Sequence, residues 1–169
     1  MYSEPSTDTY LAAGYEFGSR EPLMIAELSD RNSHTARDLP IKSVTSMAEA
    51  ERILAAHRSV GYPERLFSQA QLDDPQISVR TIISGGTFAA IGKIAMIETG
   101  AYITDVMTMP AYRKQGFGEA IMRQLHADAR AAGLTRSVLT STAMARSLYE
   151  RLGYRAIGHI TIHATPEHE

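Results

Sequence analysis

The sequence predicts a mixed α/β sheet flanked by helices, and three features predict it. Ile77, Val79, Thr81 and Ile83 alternate up to Gly85-Gly86, and Phe88 to Ile97 runs back, which reads as a β-hairpin. Tyr102 to Met109 is a β-branched, apolar run of strand length, stopped by Pro110. From Gln115 the period becomes helical, with Phe117, Ile121, Leu125 and Ala129 four apart on one face and Gly133 as the stop. With the flanking elements the order is strand, helix, hairpin, strand, helix, strand, helix, strand, for which a mixed sheet is the economical fold.

The N-terminal third is the least patterned. Met1 to Thr9 is polar and expected to be partly mobile. Tyr15–Phe17 and Leu23–Leu28 suit two short strands about a Gly18-Ser19 turn, with Pro22 favouring an edge position. Ser29 to Asp38 reads as a polar loop. Residues 1–38 are therefore set apart as an N-terminal extension, and 39–169 as the main domain. Ile41–Val44 suits a strand. Ser46-Met-Ala-Glu49 is a capping-box pattern, opening a helix that carries Met47, Ala50, Ile53, Leu54 and His57 towards Gly61. A connector with a helical turn near Phe67 leads to Asp73-Asp74-Pro75. Beyond the hairpin, Thr99-Gly100 turns the chain into the central strand. After the central helix, Ser137–Leu139 is a short strand. Ser141 or Thr142 caps a helix from Ala143 to Leu152, Gly153 ends it, and Tyr154 to Ala164 is a last strand.

Composition narrows the chemistry. The 169 residues are 44% hydrophobic with a formal charge of −2, a balance that offers no general attraction to nucleic acid. No apolar run approaches the roughly 20 residues of a membrane span. The start, MYSEPSTDTY, lacks the basic and apolar regions of a secretory leader, and a cytoplasmic setting is expected. With no cysteine, any nucleophile must be a hydroxyl, amine or carboxylate, or belong to a substrate. The six histidines show no His-Glu-x-x-His spacing, so no metal is expected.

The joint between central strand and central helix carries the clearest chemical signal. Nothing from Tyr112 to Phe117 is Ser, Thr, Asp or Asn, so this helix start has no capping side chain. Gly116 and Gly118 stand there instead, behind Arg113 and Lys114. The first N–H groups of the helix then lack an acceptor at the positive end of its dipole. A phosphate would satisfy them, and glycines let it approach the backbone. The alternative is tight helix–strand packing beside a solvated charge pair.

The element order, the segment Arg113-Lys114-Gln115-Gly116-Phe117-Gly118 after Met109-Pro110-Ala111-Tyr112, and the later segment Ala145-Arg-Ser-Leu-Tyr149-Glu-Arg-Leu-Gly153-Tyr154 together resemble the GNAT superfamily of acyl-CoA-dependent N-acyltransferases. The resemblance covers roughly residues 39–164. It implies a mostly antiparallel sheet whose central strand pair splays apart to admit acetyl-CoA. It implies that the backbone of Gln115, Gly116, Phe117 and Gly118 holds the pyrophosphate, flanked by Arg113, Lys114 and Glu119. Val106, Met107 and Thr108 would meet the pantetheine like an added strand. Tyr149 matches the hydroxyl often placed beside the cofactor sulfur. Thr142 stands where many relatives have an Asn that contacts the cofactor. The chain also ends soon after its last strand, and residues 15–28 are expected to cover the sheet edge left there.

The activity implied is direct transfer of an acetyl group from acetyl-CoA to an amine, small-molecule or protein. Such transfer needs a donor to the oxyanion, a donor to the leaving thiolate and a base for the amine. Tyr149 is the candidate proton donor, with a plain core aromatic as its alternative. Asp105, interrupting the apolar strand, is the candidate base, and a structural hydrogen-bonded Asp is its alternative. His57 and His34 are chemically able to serve but sit where packing or surface roles are common. The competing function is a non-catalytic acyl-CoA-binding module. A homodimer is compatible with everything above.

Overall fold

The computed structural model describes residues 7–28, 39–61 and 67–165. The expectations for residues 1–6, the loop 29–38, His34 and the connector 62–66 lie outside them. The described strands are β1 (Glu16–Glu27), β2 (Ile41–Ser43), β3 (Ile77–Ser84), β4 (Thr87–Ile97), β5 (Gly100–Thr108), β6 (Arg136–Thr140) and β7 (Arg155–Ala164). The helices are α1 (Thr7–Ala12), α2 (Met47–Arg58), α3 (Gln69–Asp73), α4 (Phe117–Ala131) and α5 (Arg146–Arg151). The hydrogen-bonded strand order is β2-β3-β4-β5-β6-β1-β7, the mixed and mostly antiparallel sheet expected. The backbone divides into a larger unit, Ile25–Leu139, and a smaller one, Met1–Met24 with Thr140–Glu169.

In the larger unit the hairpin forms because Gly85 and Gly86 both adopt positive φ, 58° and 79°. Two left-handed residues match the twist of the strands they join. β2-β3, β3-β4 and β4-β5 pair antiparallel, while β5-β6 pairs in parallel. Ser46 caps α2 as its sequence predicts, its side chain accepting from the Glu49 N–H at 3.3 Å. One face of α2 buries Ile53, Leu54 and His57 in a cluster with Val79, Phe88, Ile91 and Met109. Met107 packs against the same cluster, so both strand methionines are core side chains. Ser68 caps α3, the helical turn expected near Phe67.

α4 packs so closely that a Cβ on Gly92 would stand 2.5 Å from Ile121 Cγ2 and 2.9 Å from Leu125 Cδ1. Arg80 of β3 donates two hydrogen bonds to Asp128 of α4, at 2.7 and 2.9 Å, tying the helix across the sheet. His126 on this helix is buried, and burial, then Arg130 and Arg123, push its pKa down to about 4 from 6.5. The neutral ring's contribution is complete above pH 6.5 and is lost as pH falls from 6.5 towards 4, because the unfolded chain then binds the proton the fold excludes. Urea unfolding at pH 5 should give about 2 kcal/mol less stability from this group than at pH 7.5, and His126→Gln should flatten that difference. An unchanged pH dependence in the variant would show that His126 is not its source.

The N-terminal segment departs from expectation. Residues 7–12 are helical, and Tyr15–Phe17 and Leu23–Leu28 are not two short strands about a turn. One twelve-residue strand replaces them, with no turn at Gly18-Ser19. A side chain on Gly18 would meet the Ile162 carbonyl at 3.2 Å, so glycine here permits a close strand neighbour. Nor does β1 cover an edge, since it lies between β6 and β7 in the strand order. Leu28 N–H donates to the Thr135 carbonyl at 2.8 Å and Ser141 N–H to the Pro22 carbonyl at 3.0 Å, one antiparallel register. Pro22 is tolerated inside the order because its missing donor falls opposite Ser141, just past the end of β6.

Candidate functional site

The site begins with a fault in the β4-β5 ladder. Ile91 pairs with Met107 and Lys93 with Thr104, so Asp105 and Val106 together oppose Gly92. This is a β-bulge, and Asp105 takes the left-handed conformation it needs, at φ 53°. Asp is among the few non-glycine residues that adopt it at modest cost. The Asp105 carboxylate meets the Lys93 ammonium at 2.6 Å, both groups being mostly sheltered. β5 pairs with β6 only on the stretch before the bulge. Their parallel pairing consists of Ala101 with Ser137 and Tyr102 with Val138, after which the strands part. From Ile103 onward this edge of β5, including Val106, Met107 and Thr108, has no strand partner among the described residues.

The chain leaves β5 through a 3-10 turn, Pro110–Tyr112, and enters α4 by way of two left-handed residues, Lys114 at φ 58° and Gly116 at φ 87°. Gly116 is the N-cap and supplies no side-chain bond. The Gly116 carbonyl accepts the first bond of α4, from the Ala120 N–H at 3.0 Å. The backbone N–H groups of Gln115, Gly116, Phe117 and Gly118 donate to no group among the described residues, and successive free N–H groups of this kind form an anion-binding concavity. The turn is braced from several sides. Arg113 Nε donates to the Thr108 carbonyl at 3.3 Å, and Gln115 Nε2 to the Ala111 carbonyl at 2.9 Å. The buried Phe117 ring packs edge-on against Tyr112, whose hydroxyl donates to the Ser84 carbonyl at 3.2 Å. Glu119 pairs with Arg123 at 2.7 Å one turn on, and Lys114 is exposed.

His57 is fully buried, its ring 4.9 Å from that of Phe88. Burial lowers its pKa, opposed by the charge of Asp105. A buried, neutral-leaning imidazole on the inner face of α2 is a packing residue more than a surface one.

Tyr149 and Thr142 belong to the smaller unit. The helix expected over Ala143–Leu152 is shorter, Arg146–Arg151, with Ala145 as N-cap. Neither Ser141 nor Thr142 caps it through a side chain. The Ser141 hydroxyl donates instead to the Thr142 carbonyl at 2.9 Å, and that carbonyl accepts from Ala145 and Arg146. The turn preceding α5 is therefore held by backbone, and Thr142 is exposed. Tyr149 is buried, its ring 5.8 Å from that of Tyr154 and inclined to it at 62°. Burial raises its phenol pKa to about 12.

Asp105 to Thr108 and Arg113 to Glu119 thus come together at the end of β5 and the start of α4. Lys93, Gly92, Tyr112 and Ser84 support them and escaped the sequence reading. The interior glycine of a strand was the available sign of a bulge.

A family model described as the acetyltransferase (GNAT) family matches residues 45–154. Among similar solved structures is a GCN5-related N-acetyltransferase from Kribbella flavida, 23% identical at a TM-score of 0.69, covering 95% of this chain and 63% of that one. Another, from Sphaerobacter thermophilus, is 17% identical at 0.66, covering 92% and 54%. A predicted acetyltransferase with acetyl-CoA from Clostridium acetobutylicum is 14% identical at 0.56, covering 69% and 90%. The chain spans less than two thirds of the first two neighbours' length. No curated protein matches it. A family match over most of the chain, on the elements that build the bulge, the parted strands and the uncapped helix start, makes this chain a member of the acetyltransferase (GNAT) family.

Proposed function

We propose that this chain is an N-acetyltransferase that moves the acetyl group of acetyl-CoA to an amine by direct attack, within a ternary complex. The observation that carries the reading is the run of unpartnered N–H groups from Gln115 to Gly118 behind two left-handed residues. That run fits a pyrophosphate. The open edge of β5 at Val106, Met107 and Thr108 fits an extended pantetheine arm, which would add to the sheet as a further strand. Lys114 would offset phosphate charge. Arg113, turned onto the Thr108 carbonyl, would shape the loop. Thr142 remains a cofactor-side candidate by its place in the family pattern.

When bound, acetyl-CoA supplies an activated thioester carbonyl. Backbone N–H groups along the open edge of β5 would donate to the oxygen as charge develops on it. Tyr149 would act as a hydrogen-bond donor to the departing sulfur rather than surrender its proton outright. With its phenol near 12, full transfer to a thiolate whose acid has a pKa of about 8.5 is uphill by roughly 5 kcal/mol. Asp105 is the candidate base, with its carboxylate held by Lys93 at 2.6 Å. The absence of cysteine agrees with direct attack, since a thioester on the enzyme has no residue to form on.

The deciding experiment is CoA release from acetyl-CoA across polyamine, amino-acid, aminoglycoside and lysine-peptide acceptors. Release above the hydrolysis background with one class supports the reading. Calorimetric binding of acetyl-CoA with no release for any acceptor would favour the non-catalytic acyl-CoA-binding module.

A further inference from the structure

The carboxylate proposed as base does not stand alone. Asp105 meets the Lys93 ammonium at 2.6 Å, and the two side chains are only 26% and 11% exposed. Strand geometry fixes the face on which the pair lies. A Cβ on Gly92 would meet Ile121 and Leu125 of α4, and Val106 Cγ2 lies 3.5 Å from the same place. Lys93, next along β4, therefore points to the opposite face of the sheet, as does Ile91, which packs in the cluster with α2. Asp105, paired with Lys93, lies on that face too. An amine that gives its proton to Asp105 must approach the open edge of β5 from this side. His57 of α2 is acted on by the charge of the same carboxylate, but burial lowers its pKa, so the ring is neutral in ordinary assay buffers and adds no charge.

We propose that Lys93 determines acceptor specificity: by neutralising Asp105 it leaves the approach of the amine without net charge, so acceptors carrying a second cation gain no advantage there. The inference rests on the acyl-transfer reading with Asp105 as base. A lone carboxylate in a sheltered site draws cations strongly. At about 8–10 Å and an effective dielectric near 20, one unit charge alters the affinity for another on the order of 10- to 30-fold. With the Lys93 ammonium against the carboxylate, a second cation meets a dipole instead of a charge, and most of that attraction is gone. Polyamines and aminoglycosides are thereby disfavoured relative to acceptors with a single amine.

Two matched acceptor sets test the role of Lys93. One is butylamine, diaminobutane and aminobutanoate, and the other is lysine peptides whose next residue is glutamine, lysine or glutamate. Within each set the reacting amine is constant and the distant group is neutral, positive or negative. For the native chain, kcat/KM should vary by less than about threefold across a set at low salt. Lys93→Met, which keeps the apolar stem, should raise the preference for the cationic over the neutral member about 10-fold or more, and added salt should shrink that gain. Lys93→Arg, which keeps the charge, should retain the native ratio. A native preference above about 10-fold for the cationic member, or a Lys93→Met variant that loses activity equally for all three members, overturns the proposal. If Lys93→Met fails to fold, the native ratios decide alone. Turnover with unshifted ratios removes only the role of Lys93, whereas no CoA release from these sets or from the wider acceptor panel removes the transferase reading with it.

Discussion

Gly118→Asp should weaken acetyl-CoA binding at least 100-fold, measured by calorimetry, while leaving the ligand-free protein as stable as before. Gly118 is the second residue of α4, where the N–H groups without acceptors converge. A carboxylate there would face the pyrophosphate. At about 6 Å and an effective dielectric near 20, each pair of like unit charges repels by roughly 3 kcal/mol. The same carboxylate suits the positive end of a helix dipole, by about 0.3–1 kcal/mol, and removing a helical glycine contributes about as much again. Thermal melting of the ligand-free variant should therefore stay level or rise. Opposite signs in binding and stability separate loss of a ligand from loss of a fold. Gly118→Ala, which adds bulk without charge, should weaken binding far less. Unaltered affinity in Gly118→Asp would remove the phosphate from this turn.

Tyr149→Phe should lower kcat by roughly 10- to 100-fold and move the KM for acetyl-CoA by less than twofold, the size expected for one hydrogen-bond donor acting in the transition state. The substitution keeps the ring against Tyr154 and takes away a hydroxyl that bonds to none of the described residues. Unfolding free energy should stay within about 0.5 kcal/mol of the parent, so the kinetic loss reads chemistry. Equal turnover by the two proteins would leave Tyr149 a core aromatic. A matching fall in kcat and rise in KM would place its role in binding.

The local signals carried well where neighbours in sequence are neighbours in space. The alternation of Ile77 to Ile83 about Gly85-Gly86, the Ser46 cap of α2 and the missing cap of α4 all concern residues within four positions of one another. Their energies are backbone dihedral preferences and short-range hydrogen bonds, which composition announces. Glycines at positions 116 and 118 with no capping side chain nearby were therefore visible as an uncapped helix start before any fold was known. The length of α5 was misread because Ser141 and Thr142 have the right side chains for a cap, yet the hydroxyl of Ser141 bonds to the next residue's carbonyl. Two hydrogen-bond partners compete there, and sequence does not rank them.

Long-range pairing is another matter. That residues 16–27 form one strand inside the sheet depends on β6 and β7, more than a hundred residues away, which draw Pro22 and Gly18 into places neither favours alone. Asp105 looked like an intrusion into an apolar strand. Its left-handed backbone and its ion pair with Lys93 belong to a bulge opposite Gly92, a position on the neighbouring strand that packs closely under α4. The uncapped turn from Arg113 to Gly118 was thus written into the chain itself, since dihedral freedom and absent side chains are properties of single residues. The bulge between β4 and β5 and the short pairing of β5 with β6 are matters of register between strands, and register is settled by packing rather than by any one residue's preference.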